Sequence, residues 1–424
     1  MSSESKQVGR RWVFHIPGYD PIHPRRYREL YRTECAEQAK ISGYEIEVKA
    51  RPTDETFNWK VKATIDEADV VTRVDMLVWS DIVRDSMAQS IPATYLQLLQ
   101  TAWIYGKTGT LRRLMMMRKG PVIAALYPVG MLLLQLMVAM WLGWFLGSLI
   151  EGVLLKVLAL LGLTEGVIAS VVSGIGRLLK YLIFGAVVYT LLRWFKSKDN
   201  KLFAYYLMHD YAFSAQNWGA NPPALEARMK EFANTIAEAL KSDADEVLIV
   251  GHSSGAHLAI SIIADLIRDG RVPDDGPKLA FLSLGQVVPM VSFLPKARRL
   301  RGDLAFLATR EDLTWVDVTA PGDGCCFALC DPVAVSGVTP PGKLWPLVIS
   351  AAFTQSLSPA RWKSLRWRFF RLHFQYLCAF DRPKDYDYFQ ITAGPVFLAD
   401  RYRNRPQSKS RIDIAVSKYT SILP

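Results

Sequence analysis

Residues 245–270 read DEVLIVGHSSGAHLAISIIADLIRDG, and the order of their residue types predicts a strand, a tight turn and a helix. Val247 to Val250 form a short apolar run, as expected of a buried parallel strand. Apolar residues then recur at helical spacing from Ala256 to Arg268, and Gly270 is a suitable end for that helix. The run therefore predicts a strand that leads directly into an amphipathic helix.

The turn between these two elements is Gly251-His252-Ser253-Ser254-Gly255, which matches the pattern G-x-S-x-G. A tight strand-to-helix turn brings backbone segments close together, so small residues are needed on both sides, and Gly251 and Gly255 meet that need. Ser253 is then held at the tip with its hydroxyl exposed. The first N–H groups of the helix point toward any negative charge that develops there. The turn predicts that Ser253 is a nucleophile.

At these residues the chain resembles the α/β-hydrolase family of serine esterases and lipases. The resemblance covers residues 10–80 and 202–400, with an apolar segment between the two blocks. It implies an α/β fold, a three-layer sandwich with a mostly parallel sheet. The apolar segment predicts that an inserted transmembrane helical hairpin interrupts this fold. The resemblance also implies that an acid and then a histidine follow Ser253 along the chain.

In this family a loop after an early strand completes the oxyanion hole. A strand predicted over Arg11 to His15 runs into the sequence IPGY at residues 16–19, which is similar to such a loop. The resemblance implies that the backbone N–H of Gly18 or Tyr19 is one oxyanion donor. The N–H of Ser254 would be the other.

A serine nucleophile needs a base to take its proton and a carboxylate to orient that base. Two histidines follow Ser253 in the chain, His257 and His373. His257 lies on the predicted helix, where its side chain is expected to face away from the nucleophile. His15 precedes the nucleophile, and a structural role is expected for it. His373 is therefore the predicted base.

The acid is expected between Ser253 and His373, after a strand predicted over Leu313 to Val318. That strand runs into Asp323, which lies between two glycines, a layout similar to that of the fungal-type lipases. Asp323 is the first choice, Asp331 the second and Asp317 the third. All three could instead cap turns, which is a common role for Asp beside Gly or Pro.

A membrane segment is predicted between the two blocks. Residues 121–150 contain no charged residue, and roughly 20 apolar residues are enough to cross a bilayer. A second crossing is predicted from about Arg177 to Arg193. Residues 152–176 carry Lys156 and Glu165, and we expect them to be partly re-entrant or interfacial.

Basic residues flank this segment on both sides, which places both ends in the cytoplasm. An integral protein of the inner or plasma membrane is expected, with two crossings and a cytoplasmic catalytic domain. The strands at Val13 and Val247 must lie on one side of the membrane if they belong to one sheet. This also requires an even number of membrane crossings. The cations are Lys107, Arg112, Arg113, Arg118 and Lys119 before the segment, and Arg193, Lys196, Lys198 and Lys201 after it.

Length and composition agree with this organisation. The 424 residues exceed one average domain of roughly 100–200, and 50% hydrophobic content excludes a disordered chain. The predicted parts are residues 1–110 and 201–424 for the α/β domain, and 111–200 for the membrane insertion. Five cysteines predict buried free thiols rather than a disulfide framework. No metal or organic cofactor is implied.

The resemblance implies a serine esterase, and the predicted membrane segment implies that it is anchored to a membrane. Placement beside a bilayer favours a lipid or another acyl ester as the substrate. Two alternative functions remain open, an acyltransferase with the same acyl-Ser253 and a non-catalytic membrane scaffold with a hydrolase fold.

Residues 361–371 read RWKSLRWRFFR and combine five cations with four aromatic residues. This helix could lie among lipid headgroups or could simply be solvated. Nucleic acid is not expected as a partner, because the basic residues cluster at the membrane ends.

Overall fold

The structure is a computed structural model, which describes residues 7–50, 57–163 and 165–422. Its strands are β1 (Arg10–Ile16), β2 (Glu45–Ala50), β3 (Asn58–Ile65), β4 (Ala68–Met76), β5 (Glu246–His252), β6 (Lys278–Leu284), β7 (Leu313–Thr319) and β8 (Leu347–Ser350).

Helices connect and flank these strands. They are α1 (Arg25–Ser42), α2 (Ser80–Met87), α3 (Ile91–Lys107), α4 (Thr110–Met117), α5 (Lys119–Leu160), α6 (Gly166–Ser197), α7 (Asp199–Leu202), α8 (Ala204–Ala215), α9 (Pro223–Ala239), α10 (Gly255–Arg268), α11 (Val288–Ser292), α12 (Arg298–Leu307), α13 (Pro332–Val335), α14 (Phe353–Ser356), α15 (Pro359–Leu365), α16 (Phe369–His373), α17 (Tyr388–Ala393) and α18 (Leu398–Arg401), with a 3-10 helix at Gln375–Leu377.

The strands form one mixed sheet in the order β2-β3-β4-β1-β5-β6-β7-β8. Pairing is antiparallel from β2 to β4 and parallel from β4 through β1 and β5 to β8. The predicted α/β class with a mostly parallel sheet is therefore confirmed. So is the shared sheet, because Val13 of β1 lies opposite Leu248 of β5.

Helices cover both faces of the sheet at β5, whose seven residues are all buried. Leu248 and Val250 pack in a core cluster that also contains Tyr31 of α1. Val247 and Ile249 alternate with them and so point to the opposite face, where they are buried as well. Helix α10 packs against β5, α9 and α12. The strand and helix predicted over residues 245–270 are confirmed, and Gly270 follows α10 with a left-handed φ of 64°.

A buried ion pair fixes β1 to β5 at the start of both strands. Nε of Arg11 lies 2.6 Å from Oε2 of Glu246. The guanidinium also donates to the carbonyls of Gly394 and Val396, and the second carboxylate oxygen accepts from the N–H of Leu398. Because the guanidinium and the carboxylate each make backbone hydrogen bonds in addition to the ion pair, the cost of burying the two charges is offset.

The chain divides into two compact units. The first contains the described residues of Met1–Ser86, Trp103–Val122 and Ser214–Pro424, including the whole sheet. The second contains Met87–Ala102 and Ile123–Phe213. The second unit has a small core of its own, formed by Leu98, Leu132, Ala204, Tyr205, Met208 and Ala212.

Two helices, α5 and α6, are long and apolar enough to cross a membrane, with mean hydropathies of 2.1 and 1.7 over an 18-residue stretch of each. At 1.5 Å per residue they extend roughly 60 and 50 Å, more than the ~30 Å of a bilayer core. Many of their large apolar side chains are exposed, including Trp141, Leu160, Val167, Leu178 and Leu182. The count of two agrees with the predicted hairpin, whereas the side of the membrane and the type of membrane remain predictions.

The second crossing, predicted from about Arg177 to Arg193, lies within a longer helix, α6. That residues 152–176 are partly re-entrant or interfacial stays a prediction. Residues 152–160 continue α5, and residues 166–176 begin α6. A charged side chain does not interrupt the backbone hydrogen bonds of a helix, so the charges in this stretch were a poor guide to helix ends. Two charges near this stretch also neutralise each other, because Nζ of Lys180 lies 2.9 Å from Oε2 of Glu151.

Glycines allow α5 and α6 to approach closely. A Cβ atom at Gly143 would lie 3.0 Å from the carbonyl oxygen of Phe184, and one at Gly147 would lie 2.7 Å from that of Lys180. The two glycines are four residues apart and so lie on one face of α5. Small residues at this spacing are typical of closely packed membrane helices.

We predict that Gly147→Val destabilises the hairpin, because the new side chain must displace the backbone of α6. Overpacking of this kind costs roughly 1–3 kcal/mol. The measurement is the Tm of the full chain in detergent. Gly185→Val is the matched control, since a Cβ atom at Gly185 of α6 would meet nothing within 4 Å. Equal Tm values for the two variants would contradict this packing.

Candidate active site

Ser253 occupies the turn between β5 and α10 in a strained backbone conformation. Its φ is 56°, in the left-handed region that residues with a side chain rarely adopt. The turn is tight, because a Cβ atom at Gly251 would lie 2.7 Å from Cα of Ala256. One at Gly255 would overlap the carbonyl oxygen of Ile16. Both glycines of the G-x-S-x-G pattern are therefore required by backbone contacts.

The loop after β1 lies directly beside Ser253. A Cβ atom at Gly18 would be 2.9 Å from Cβ of Ser253 and 3.4 Å from its Oγ. Ser254 precedes α10, where the first N–H groups of a helix have no partner within the helix. The structure thus brings together the predicted nucleophile and the loop that the sequence associates with it.

Hydrogen bonds hold this loop in place. Nε1 of Trp79 donates to the carbonyl of Pro17 over 2.9 Å, and the hydroxyls of Tyr19 and Ser86 are 2.5 Å apart. The ring of Tyr19 also packs edge-on against Trp79. Because the ring and the hydroxyl of Tyr19 both have partners, the backbone around Gly18 has a defined position next to Ser253.

His373 and Asp323 form a buried pair. Nδ1–H of His373 donates to Oδ2 of Asp323 over 2.7 Å. The same oxygen accepts from the hydroxyl of Tyr376 at 3.1 Å, and Oδ1 accepts from the N–H of Cys325 at 2.9 Å. A carboxylate can only accept, so this contact assigns the proton to Nδ1 and leaves Nε2 of the neutral ring as an acceptor.

The surroundings of Asp323 favour its charged form. Burial raises the pKa of this carboxyl, but the neighbouring His373 and the hydrogen bonds outweigh burial, so the pKa lies below its ordinary value. An ionised Asp323 at neutral pH would stabilise a positive charge on His373.

His373 lies at the carboxyl ends of β5 and β6, as Ser253 does. Nε2–H of His252 donates to the carbonyl of His373 over 3.0 Å, and the two rings are 4.8 Å apart. The N–H of Ser253 donates to the carbonyl of Leu284. A Cβ atom at the next residue, Gly285, would lie 3.1 Å from Cε1 of His373. Within the part of the chain that the structure describes, Nε2 of His373 is buried and has no hydrogen-bond partner.

The other two candidate acids lie in different surroundings. Asp331 caps α13, where its side chain accepts from the N–H groups of Val333 and Ala334, and it pairs with Lys343. Asp317 is buried within β7 and hydrogen-bonds to Ser283 over 2.5 Å. Burial raises the pKa of Asp317 to about 8, so it is largely neutral at pH 7. Of the three, the structure brings Asp323 to His373.

The remaining histidines named from the sequence are buried and neutral. Burial lowers the pKa of His15 to about 3 and that of His257 to about 4. His15 packs against Tyr27 and contacts the hydroxyl of Tyr388 at 3.4 Å. Among the described residues, Nδ1 of His257 has no hydrogen-bond partner.

Two residues that sequence analysis did not single out support the pair. Tyr376 contacts Asp323 through its hydroxyl, which also accepts from the N–H of Ala320 at 2.9 Å. Gly285 leaves room for the rings of His373 and Tyr376. The spacing of three residues between His373 and Tyr376 was a usable signal, since such residues lie on one side of a helical turn. The position of Gly285 had no such signal.

The five cysteines are not joined in disulfides, as predicted, and three of them are buried, whereas Cys325 and Cys378 are only partly buried. Ligand atoms of Asp323, Cys325 and His373 lie within 4.8 Å of one another, close enough to hold a metal ion. However, both oxygens of Asp323 already accept hydrogen bonds, one of them from Nδ1 of His373. In this structure Asp323 and His373 therefore form a hydrogen-bonded carboxylate–imidazole pair.

Burial of His257 predicts a pH dependence of stability. Its pKa falls from 6.5 to about 4 on folding, so between these values the unfolded chain binds a proton that the folded chain does not. The free energy of unfolding therefore has its full value, as far as His257 is concerned, above pH 6.5, and it falls as the pH is lowered toward 4. The loss is roughly 3 kcal/mol, at 1.36 kcal/mol per pKa unit.

We predict that His257→Leu loses less stability than the unsubstituted chain between pH 7 and pH 4.5. The measurement is Tm in detergent across that range, with His23→Leu as the control at an exposed histidine. If His257→Leu and His23→Leu show the same pH slope, His257 is not buried as a neutral ring.

Comparison of the chain with models of protein families, with curated proteins and with solved structures finds no significant match.

Proposed function

We propose that this protein is a membrane-anchored serine hydrolase of the α/β-hydrolase type, which cleaves a carboxylic ester through an acyl-Ser253 intermediate. The main support is the buried hydrogen bond between His373 and Asp323 at the same edge of the sheet as Ser253. The strained backbone of Ser253 adds to this, because strain of this kind concentrates at functional sites.

In the proposed mechanism, Oγ of Ser253 attacks the carbonyl carbon of the ester and Nε2 of His373 takes the hydroxyl proton. Asp323 stabilises the imidazolium that forms. The negative charge on the carbonyl oxygen is held by the N–H of Ser254 and by that of Gly18 or Tyr19. His373 then protonates the leaving alcohol, and a water molecule activated by His373 releases the acid.

The membrane segment bears on the class of substrate. A catalytic unit joined to helices such as α5 and α6 would work beside a bilayer, where lipid and acyl esters are concentrated. We therefore propose a lipid or another acyl ester as the substrate. The bilayer itself would be the main partner.

One observation favours a second candidate, a membrane scaffold that keeps the fold without turnover. Nε2 of His373 has no hydrogen-bond partner among the described residues, so the contact to Ser253 that proton transfer needs is not made in this structure. Such contacts are often long before substrate binds. Reactivity of Ser253 therefore separates the two candidates.

We predict that a fluorophosphonate probe labels the full chain in detergent and that Ser253→Ala abolishes the labelling. His373→Ala and Asp323→Asn should slow labelling by about 10³-fold or more, because both act on the proton of Ser253. Ser254→Ala is the control for the serine, since it keeps the backbone N–H. Asp317→Asn is the control for the acid, because Asp317 is already largely neutral.

An unlabelled wild-type chain would favour the scaffold. Labelling that survives Ser253→Ala but is lost in Ser254→Ala would show that the nucleophile is Ser254 and contradict the proposal. If Ser253 labels, incubation with a short-chain ester and an added alcohol distinguishes hydrolase from acyltransferase. The first releases the free acid, whereas the second forms the new ester.

We also predict that Gly18→Ala slows fluorophosphonate labelling by about 10²-fold or more, since loss of one oxyanion donor costs 10²–10³. The new methyl group would press on Ser253 and displace the loop. Gly9→Ala is the matched control in the same N-terminal region, because among the described residues its Cβ atom would contact only Asp245, at an ordinary 3.7 Å. Equal labelling rates for both variants would contradict a role of the Gly18 loop in the oxyanion hole.

A further inference from the structure

We infer that residues 361–371, called here the basic–aromatic segment, dock onto anionic phospholipid headgroups at the bilayer surface. This inference adds to the proposed function, because it names anionic phospholipids as the lipids next to the candidate active site. It rests on the membrane anchoring in that proposal but not on ester hydrolysis.

One side of the segment packs onto the loop that carries Asp323. A Cβ atom at Gly322 would lie 2.7 Å from the ring of Trp362, and one at Gly324 would lie 3.3 Å from the ring of Phe369. The two glycines flank Asp323 in the sequence. The segment is therefore held by contacts on both sides of the acid, and α16 within it ends at His373.

The rest of the segment presents aromatic and basic groups to the surroundings. Trp367 is 73% exposed, and Phe369 is 49% exposed although its ring packs against Gly324. Lys363, Arg366, Arg368 and Arg371 are also exposed, and no ion pair joins any of them to another residue in the described part of the chain. An exposed tryptophan between unpaired cations is a common arrangement at the headgroup level of a membrane.

The fifth cation of the segment differs from the other four. Arg361 lies 2.9 Å from Glu37 of α1 and is only partly exposed. It therefore fixes the start of the segment to the folded unit, and Arg371 at the other end is attracted to Glu34 of α1. Between them, Lys363, Arg366 and Arg368 are exposed, and Arg366 also lies over the ring of Trp367. This division matches a docking surface better than it matches a uniformly solvated helix.

The position of the segment favours lipid over nucleic acid. A Cβ atom at Gly120 would lie 3.2 Å from Cα of Gly324, the residue that packs on Phe369. Gly120 is the second residue of α5, the first of the two helices that can cross a membrane. The basic–aromatic segment therefore lies close to the place where the chain enters this apolar helix, so headgroup phosphates would be the nearest anions.

The test uses the full chain in nanodiscs of phosphatidylcholine, alone or mixed with phosphatidylserine. Trp367→Cys carries a nitroxide label, and the unsubstituted chain gives the background from the native cysteines. Collision of the label with lipid-soluble oxygen and with a water-soluble nickel chelate reports its depth. We expect phosphatidylserine to lower the nickel accessibility severalfold and to raise the oxygen accessibility. Lys363→Cys provides a second label position if Trp367→Cys folds poorly.

Removal of the cations should abolish this response. Each cation near an anionic leaflet contributes roughly fivefold to binding, so Lys363→Gln, Arg366→Gln and Arg368→Gln together should lower the docked fraction by about a hundredfold. The matched control replaces three exposed cations elsewhere, Lys230, Lys296 and Arg298, with Gln. The control should keep the response to phosphatidylserine.

Two results would overturn the inference. In the first, the label stays in water in both kinds of nanodisc. In the second, the chain binds a fluorescent single-stranded oligonucleotide, and this binding disappears when the three cations of the segment are replaced. Phosphatidylserine has no effect on the label in that case. Fluorophosphonate labelling of Ser253 in the same nanodiscs is read separately. A docked label with an unreactive Ser253 would therefore retain this inference and reject only the hydrolase.

Discussion

The close contact between two backbone segments, residues 16–18 and residues 253–255, is the constraint on which the candidate site depends. No side chain fits between Gly255 and the carbonyl of Ile16, and none fits between Gly18 and Ser253. The contact requires that β1 and β5 be parallel neighbours in register, as observed. The buried pair of Arg11 and Glu246 sets that register from the other end of the strands. Nucleophile and loop are thus positioned by main-chain geometry rather than by flexible side chains.

Aspartates at the same end of the sheet show how surroundings decide chemistry. Asp323 and Asp317 are both buried, yet the pKa of the first is lowered and that of the second is raised to about 8. Asp323 has a histidine, a backbone N–H and a tyrosine hydroxyl around its oxygens. Asp317 has one serine hydroxyl, and its Oδ2 has no hydrogen-bond partner in the described ranges. Only Asp323 is suited to stay ionised beside a base.

Much of this fold could be predicted because its signals are local. The run at residues 245–270 contains the strand, the turn and the helix within one stretch, and each has its own residue pattern. The two apolar helices could be counted for the same reason. Their ends could not, because the expected boundaries relied on charge, and the contact between Glu151 and Lys180 depends on a partner in the other helix.

The site was predictable only to the level of candidates. The chain order pointed to Asp323, Asp331 and Asp317, but their roles depend on contacts over long sequence separations. Asp331 is distinguished by its pairing with Lys343, and Asp323 by His373, 50 residues away. The local pattern of an Asp between two glycines after a strand ranked Asp323 first, but propensity and spacing contain no information about its contact with His373.

The pairing of β1 with β5 also has a consequence for biosynthesis. Arg11 and Glu246 are separated by 235 residues, and both apolar helices are made between them. At about 5–20 residues per second, a ribosome needs roughly 10–50 s to reach β5 after it has made β1. During that time β1 lacks its central neighbour, and its apolar side chains have nothing to pack against on that side. Cells that make this protein would have to shield the nascent N-terminal strands until β5 has been translated, well after α5 and α6.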